Sequence, residues 1–187
     1  MKKIPTLFKK IDLENHKQIV SEEVNPGMEW VLKGEGIATI KIDGSATAII
    51  GRNFYKRYDA KNGKKPPEGA IPCQEKPDPI TTHWPHWVKV DERDPSDVWL
   101  VEAYKNTDKD KIFDGTYEAI GPHFSNNPYN LEKDILVRHG IEIIEVERSY
   151  EGIKKYLTDN YIEGIVFWKD GEPKCKIRRK DFGLKWK

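Results

Sequence analysis

Cysteine is scarce in this chain. Its 187 residues include two, Cys73 and Cys175, which form no CxxC and have no ligand partner nearby in sequence. That argues against a disulfide framework or a cysteine-based zinc motif, and two thiols in a reducing compartment are the expectation. Long apolar runs are missing too, so nothing reads as a membrane span. The opening stretch MKKIPTLFKKIDLEN is charged throughout and lacks the apolar core of a signal peptide. Together these point to a cytoplasmic protein that meets no membrane. An excess of one charge is also absent. The 32 Lys and Arg balance 31 Asp and Glu to a net +1, so no global field announces nucleic acid. No internal repeat is evident.

What is present suits a folded, soluble protein. Hydrophobic residues make up 37% of the chain, charged residues 34%, and six tryptophans argue against disorder. The length suits one domain over residues 1–187, with a monomer one option and the oligomeric state left open. Met28–Ile50 alternates apolar and polar residues around GEG and predicts a hairpin. Residues 51–78 are rich in Pro, Gly and Lys and read as a long connection. DVWLVEAYKNT and GTYEAIGP read as strands, and NLEKDILVRHG as the start of a helix at Asn130. EIIEVE reads as a short strand. SYEGIKKYLTDN is the best helix, capped by Ser149, with Ile153, Tyr156 and Leu157 on one face. EGIVFWKDGEPKCKIRR is the strongest hairpin. Strands dominate, so the expected class is α+β, with antiparallel sheets flanked by helices.

Local charge says more than the total. Residues 51–65 carry Arg52, Lys56, Arg57, Lys61, Lys64 and Lys65 against Asp59, and residues 174–187 carry seven cations against Asp181. Either segment is a solvated surface or a phosphate contact. Lys41-Ile42-Asp43-Gly44 interrupts a run that otherwise reads as a strand. Alone, a KxDG tetrapeptide is weak: Lys41 suits a strand edge and Asp43 a turn. The THWPHW stretch places His83 and His86 three apart, but Pro85 and the lack of a third ligand favour stacking or packing of its tryptophans over a metal site.

In order along the chain stand KIDG, the cation Arg57, Glu118 in TYEAIG, Glu163 in EGIVF, and Lys176 with Arg178 in KIRR. With this order the sequence resembles the covalent nucleotidyltransferases, the superfamily of ATP-dependent DNA and RNA ligases and mRNA capping enzymes. It is most similar to a compact RNA ligase family with vertebrate, phage and bacterial members. FYKRYDAKNGK, PPEGAIPCQ, DPITTHWPHWV, GTYEAIGPHFSNNPY and EGIVFWKDGEPKCKIRRKDFGLKW carry that closer likeness. The resemblance implies a ligase-type, ATP-grasp-like nucleotidyltransferase fold, with ATP as co-substrate and Mg²⁺ or Mn²⁺ as metal.

The likeness also implies roles. Lys41 is the nucleophile that takes AMP. A free lysine has a pKa near ~10.4, so only about one in a thousand is neutral near neutral pH, and nearby cations and desolvation must help. Lys176 and Arg178 are the candidate catalytic cations, and they also bind the α-phosphate. ATP binding further implies Ile40, Asp43, Gly44, Arg57, Glu118, His139 and Val166. Glu118 would accept from ribose hydroxyls, Val166 would pack on one face of adenine and His139 on the other. The metal falls to Asp43 and Glu163, through waters. Plain structural roles remain open beside these: an exposed strand glutamate for Glu118, core for Val166, a buried histidine for His139. Arg52, Lys56, Arg57, Arg179 and Lys180 are the RNA-backbone candidates.

Two departures narrow the resemblance. A typical DNA ligase has arginine five places after the lysine, where this chain has Ala46. Few residues follow Arg178, so no OB domain is expected. The reaction implied is ATP-dependent joining of RNA 5′-phosphate and 3′-hydroxyl ends through lysyl-AMP and an adenylylated RNA end. The alternatives are a DNA end-joining ligase, a protein that stops at self-adenylylation, and a non-catalytic RNA-binding module on a ligase fold.

Overall fold

The computed structural model describes residues 1–13, 17–79 and 81–187. Ile80, inside the DPITTHWPHWV block, lies outside them. The chain is mixed α+β, with mostly antiparallel sheets and few helices. In order it forms β1 (Phe8–Asp12), β2 (Gln18–Val24), α1 (Glu29–Leu32), β3 (Ile37–Lys41), β4 (Ser45–Ile50), β5 (Asn53–Ala60), β6 (Ile71–Pro72) and β7 (Trp84–Lys89). Then come α2 (Val98–Asn106), β8 (Gly115–Ile120), β9 (Ile135–Arg138), β10 (Ile143–Ile144), α3 (Tyr150–Asp159), β11 (Gly164–Lys169) and β12 (Glu172–Arg178). Among the described residues, no helix is long and apolar enough to cross a membrane.

The elements gather into two compact units, each built from two stretches of chain. One comprises residues 1–3 and 43–139, the other residues 4–42 and 140–187. We call the second the lysine unit, because it holds Lys41, and the first the carboxylate unit, because it holds Asp43 and Glu118.

The lysine unit contains a four-stranded sheet in the order β10-β3-β11-β12 and the hairpin β1-β2. Side chains alternate across each strand. Ala38, Ile165, Phe167, Cys175 and Ile177 therefore point to one face, where they join Leu157 of α3 in a fully buried core. Ser149 caps α3 as its sequence predicts, its Oγ accepting from Gly152 N–H at 2.9 Å. The β11–β12 hairpin also forms as expected. Its turn places Asp170 (φ 55°) and Gly171 (φ 74°) in the left-handed region that such tight turns require. The expected Met28–Ile50 hairpin does not form. Glu29–Leu32 is a short helix, and β3 and β4 belong to different sheets.

The carboxylate unit contains a six-stranded sheet in the order β6-β7-β5-β4-β8-β9. One face is covered by α2, whose Leu100 and Ala103 pack with Ile49, Tyr117, Ala119 and Leu136. Two local readings reverse here. DVWLVEAYKNT is the helix α2 rather than a strand, because Leu100 and Ala103 are one helical step apart and seat on the sheet. Asn130 begins no helix. It stands at φ 51°, the Asn127 side chain brackets Leu131 N–H and C=O at 2.9 Å each, and Ile135–Arg138 runs as a strand beside β8. The long polar connection is partly ordered as well, since β5 and β6 lie inside it.

Candidate functional site

In the lysine unit, register sets out the chemistry. Lys41 pairs across β11 with Gly164, which pairs across β12 with Arg178. One row on, Thr39 pairs with Val166 and Val166 with Lys176. Cross-strand partners share a face. Lys41, Arg178, Val166 and Lys176 thus stand together on the face opposite the core. Val166 is half-buried there, beside cations rather than on the apolar side, which belongs to Ile165 and Phe167. Ile40 alternates onto the core side with Ile165, and its N–H donates to Glu142 C=O at 3.0 Å. Gly164 cannot be larger. A Cβ there would stand 2.2 Å from the Ile177 carbonyl oxygen.

Lys41 ends β3. Its Nζ donates to Glu163 Oε2 at 2.6 Å and to the Ile42 carbonyl at 3.4 Å. The two side chains are 23% and 12% exposed, so water screens this pair less than a surface pair. Glu163 is the residue just before β11, so strand pairing delivers it to the end of β3. Lys176 is fixed through its backbone. Its N–H donates to Pro5 C=O at 3.0 Å and its C=O accepts from Leu7 N–H at 2.8 Å. Arg178 is held by a residue the sequence reading missed, Asp181. Its Nε and Nη2 donate to the two Asp181 oxygens at 3.0 and 2.7 Å. Burial opposes the Arg178 charge, but the hydrogen bonds and charge of Asp181, with Glu163 adding to them, outweigh it and hold the guanidinium pKa above its ordinary value. The three-residue spacing in RRKD was the available signal for this pair.

The second arginine of that motif does something else. Arg179 is 8% exposed, and its guanidinium donates to the Leu157 carbonyl, to Asn160 C=O at 3.0 Å and to Lys185 C=O at 2.9 Å. It closes the C-terminal end of α3, where carbonyls lack partners and a cation is favoured. Expected on RNA, Arg179 is instead spent inside its own unit. Lys180 beside it is exposed.

In the carboxylate unit, β3 having ended, Asp43 and Gly44 lie outside any strand. Strand alternation therefore does not carry over from Lys41 to Asp43. Asp43 N–H donates to the Tyr129 hydroxyl at 2.7 Å, and its Oδ1 accepts from Ser125 Oγ at 3.2 Å. Gly44 N–H donates to Glu118 Oε1 at 3.0 Å, and a Cβ on Gly44 would stand 2.1 Å from Ala119 O. The glycine is needed for this approach to β8. The other oxygen of Glu118 lies 2.8 Å from His139 Nε2, whose Nδ1 is 3.0 Å from Thr116 Oγ1. His139, expected to stack on adenine, uses both ring nitrogens to orient Glu118. Glu118 is almost fully buried and still keeps accepting lone pairs on each oxygen.

Ala46 pairs across to Glu118, and by strand alternation Arg57 of β5 shares their face of the six-stranded sheet, the one opposite α2. Near them opens a pocket of about 350 Å³, lined by Ser45, Ala46, Lys56, Arg57, Asp59 and Asp97 among others. Its cations are paired. Lys56 Nζ donates to the buried Asp97, while Arg57 donates from Nε to Asp59 at 3.0 Å and from Nη1 to the Met1 carbonyl at 3.2 Å. Arg52 is exposed, with its backbone N–H on Asp114 at 3.4 Å. In the THWPHW stretch, His86 Nδ1 contacts Trp84 O at 2.8 Å, and Pro85 sits within β7. Among the described residues, no group of three or more His, Cys, Asp or Glu is placed to cage a metal. Mg²⁺ needs no such cage, since it takes one or two carboxylates and keeps its waters, and Glu163 suits that mode.

No protein-family model matches the chain, and comparison with curated proteins likewise returns no match.

Proposed function

We propose that this protein is an ATP-dependent RNA ligase of the covalent nucleotidyltransferase type, on a ligase-type fold. The observation that carries the reading is the Lys41–Glu163 contact of 2.6 Å on a sheet face shared with Lys176 and Arg178. A lysine that serves only solubility has no need of a half-buried carboxylate and two further cations around it.

In the proposed first step the neutral Lys41 amine attacks the α-phosphorus of ATP. A P–N bond forms, the P–O bond to pyrophosphate breaks, pyrophosphate leaves, and the nitrogen gives up a proton to water. Glu163 fixes Lys41 Nζ beforehand, which removes the entropy of orienting a long side chain. Lys176 and Arg178 offset the charge that builds on the phosphate oxygens, and the Asp181 clamp keeps Arg178 from having to reorganise. Glu163 is also the carboxylate of this unit that would hold Mg²⁺, which supplies further charge neutralisation when bound. AMP then passes to an RNA 5′-phosphate, and an RNA 3′-hydroxyl displaces it to make the phosphodiester. In the carboxylate unit, the resemblance gives Glu118 the ribose hydroxyls, and the His139 contact supports that role by holding the carboxylate still.

Incubation with α-labelled ATP and Mg²⁺ tests the reading. A covalent AMP adduct is expected with the wild type, and none with Lys41→Ala or after chelation of the metal. Sealing is then expected on 5′-phosphorylated RNA ends. Absence of any adduct under any metal sinks the enzyme reading, and sealing confined to all-DNA nicks sinks the RNA assignment.

A further inference from the structure

A second surface of the carboxylate unit is built with more care than packing requires. The His123 ring lies flat on the Trp99 indole, with ring centroids 3.4 Å apart and planes within 5°. Neither residue belongs to the unit's apolar core, and both stay accessible, Trp99 at 41% and the His123 side chain at 37%. A buried carboxylate fixes the stack. Asp134 Oδ2 is 2.6 Å from His123 Nδ1, and its Oδ1 accepts the His123 backbone N–H at 3.1 Å. With Nδ1 turned to Asp134, Nε2 is the ring nitrogen left to meet a ligand. Gly121 (φ 138°) makes the arrangement possible, because a Cβ there would stand 2.5 Å from Asp134 Oδ1.

The loop that carries His123 also carries Ser125 and Tyr129, the two side chains that hold Asp43. Ser125, Asn126 and Asn127 follow one another at φ 50°, 60° and 48°. Three successive non-glycine residues in the left-handed region are rare and costly, and such strain persists where a loop must hold one shape. One loop thus joins the KxDG aspartate to an exposed, preassembled π surface.

We propose that the Trp99–His123 stack is a platform for a base of single-stranded RNA, with His123 Nε2 available to its phosphate or sugar. A rigid aromatic pair presents a large π face at little entropic cost, and base stacking of this kind tolerates any sequence. The proposal rests on the RNA-ligase reading for the identity of its ligand.

Binding of a short fluorescein-labelled single-stranded RNA to the full chain, followed by anisotropy, tests the platform. Trp99→Ala is expected to weaken binding by about 5- to 150-fold, the range one lost base stack carries. Trp99→Phe retains most of it, and His123→Ala falls between. The preference for oligo(A) over oligo(U), a measure of stacking, shrinks in Trp99→Ala. The AMP adduct formed from ATP alone stays at the wild-type level in all three. Wild-type RNA affinity in both Trp99→Ala and His123→Ala overturns the proposal and leaves the surface to a protein partner. Loss of the adduct in parallel with RNA binding also overturns it, since that marks a purely structural role. If the wild type forms no adduct yet Trp99→Ala still loses RNA, the platform stands and the ligase reading falls.

Discussion

Cys175 and Lys41 sit on opposite faces of one four-stranded sheet, and their surroundings give them opposite chemistry. Lys41 faces a carboxylate and cations. Cys175 faces Phe167 and the core, and burial pushes its thiol from 9.0 to about 12, with Arg148 pulling only weakly the other way. The unfolded thiol ionises first. Native stability from this group is therefore full below its unfolded pKa and drains away as pH climbs from about 9 towards 12. Chemical denaturation of wild type and Cys175→Ala, compared at neutral pH and at about pH 10.5, isolates the effect. The wild-type advantage should narrow by about 2 kcal/mol, and parallel pH profiles for the two proteins would refute it. The pair of arginines near the chain end makes the same point about surroundings. Composition marks Arg178 and Arg179 alike as cations for phosphate. The end of β12 separates them, turning one onto Asp181 at the sheet face and the other into the carbonyls of α3. No single-residue property in the sequence distinguishes the two.

At the scale of elements, the close approach of β12 to β11 depends on one atom that Gly164 lacks. Ala at that position places Cβ 2.2 Å from the Ile177 oxygen, so the strands that align Lys41 with Arg178 must part. Gly164→Ala should cost about 2 kcal/mol or more in denaturant unfolding. Gly171→Ala, whose Cβ meets open space, bears only the left-handed backbone penalty of about 1–2 kcal/mol. An equal or smaller loss at Gly164 would refute the packing argument. Elements that satisfy themselves locally were readable: α3 through its Ser149 cap and spaced apolar residues, and β11–β12 through its Asp-Gly turn. Elements decided by partners were not. Val98, Trp99 and Val101 suggest a strand, yet Leu100 and Ala103 find a sheet to cover and the segment winds into α2. The charged start of NLEKDILVRHG suggests a helix, yet β8 offers Ile135–Arg138 an open edge. The order Lys41, Glu163, Lys176, Arg178 was legible as a candidate site, and the sheet register brings these residues together. Its clamps, Asp181, Ser125 and Tyr129, were not, because each is defined by the tertiary contact it makes.

For the whole molecule, the near-zero net charge conceals how its cations are used. The chain crosses from one unit to the other after Lys3, after Ile42 and after His139, and no step in composition marks any of the three crossings. Within each unit, several of the cations that look free in sequence have been claimed. Lys56 is held by Asp97, Arg57 by Asp59, and Arg179 by three carbonyls. Of the five residues expected on the RNA backbone, Arg52 and Lys180 are the exposed ones. Breaking an internal pair to reach a phosphate gains little, because one anion merely replaces another and the carboxylate is stranded. On the proposed RNA-ligase reading, the salt dependence of RNA binding should therefore be shallow. With about two phosphates neutralised on a single strand, log K should fall against log salt with a slope near −1.4, about a sevenfold loss between roughly 50 and 200 mM. Titration of labelled single-stranded RNA over that range measures the slope directly. A slope of about −4 or steeper would mean that the paired cations leave their carboxylates to meet phosphate. A shallow slope together with the Trp99 effect would mean that this protein holds RNA more by stacking than by charge.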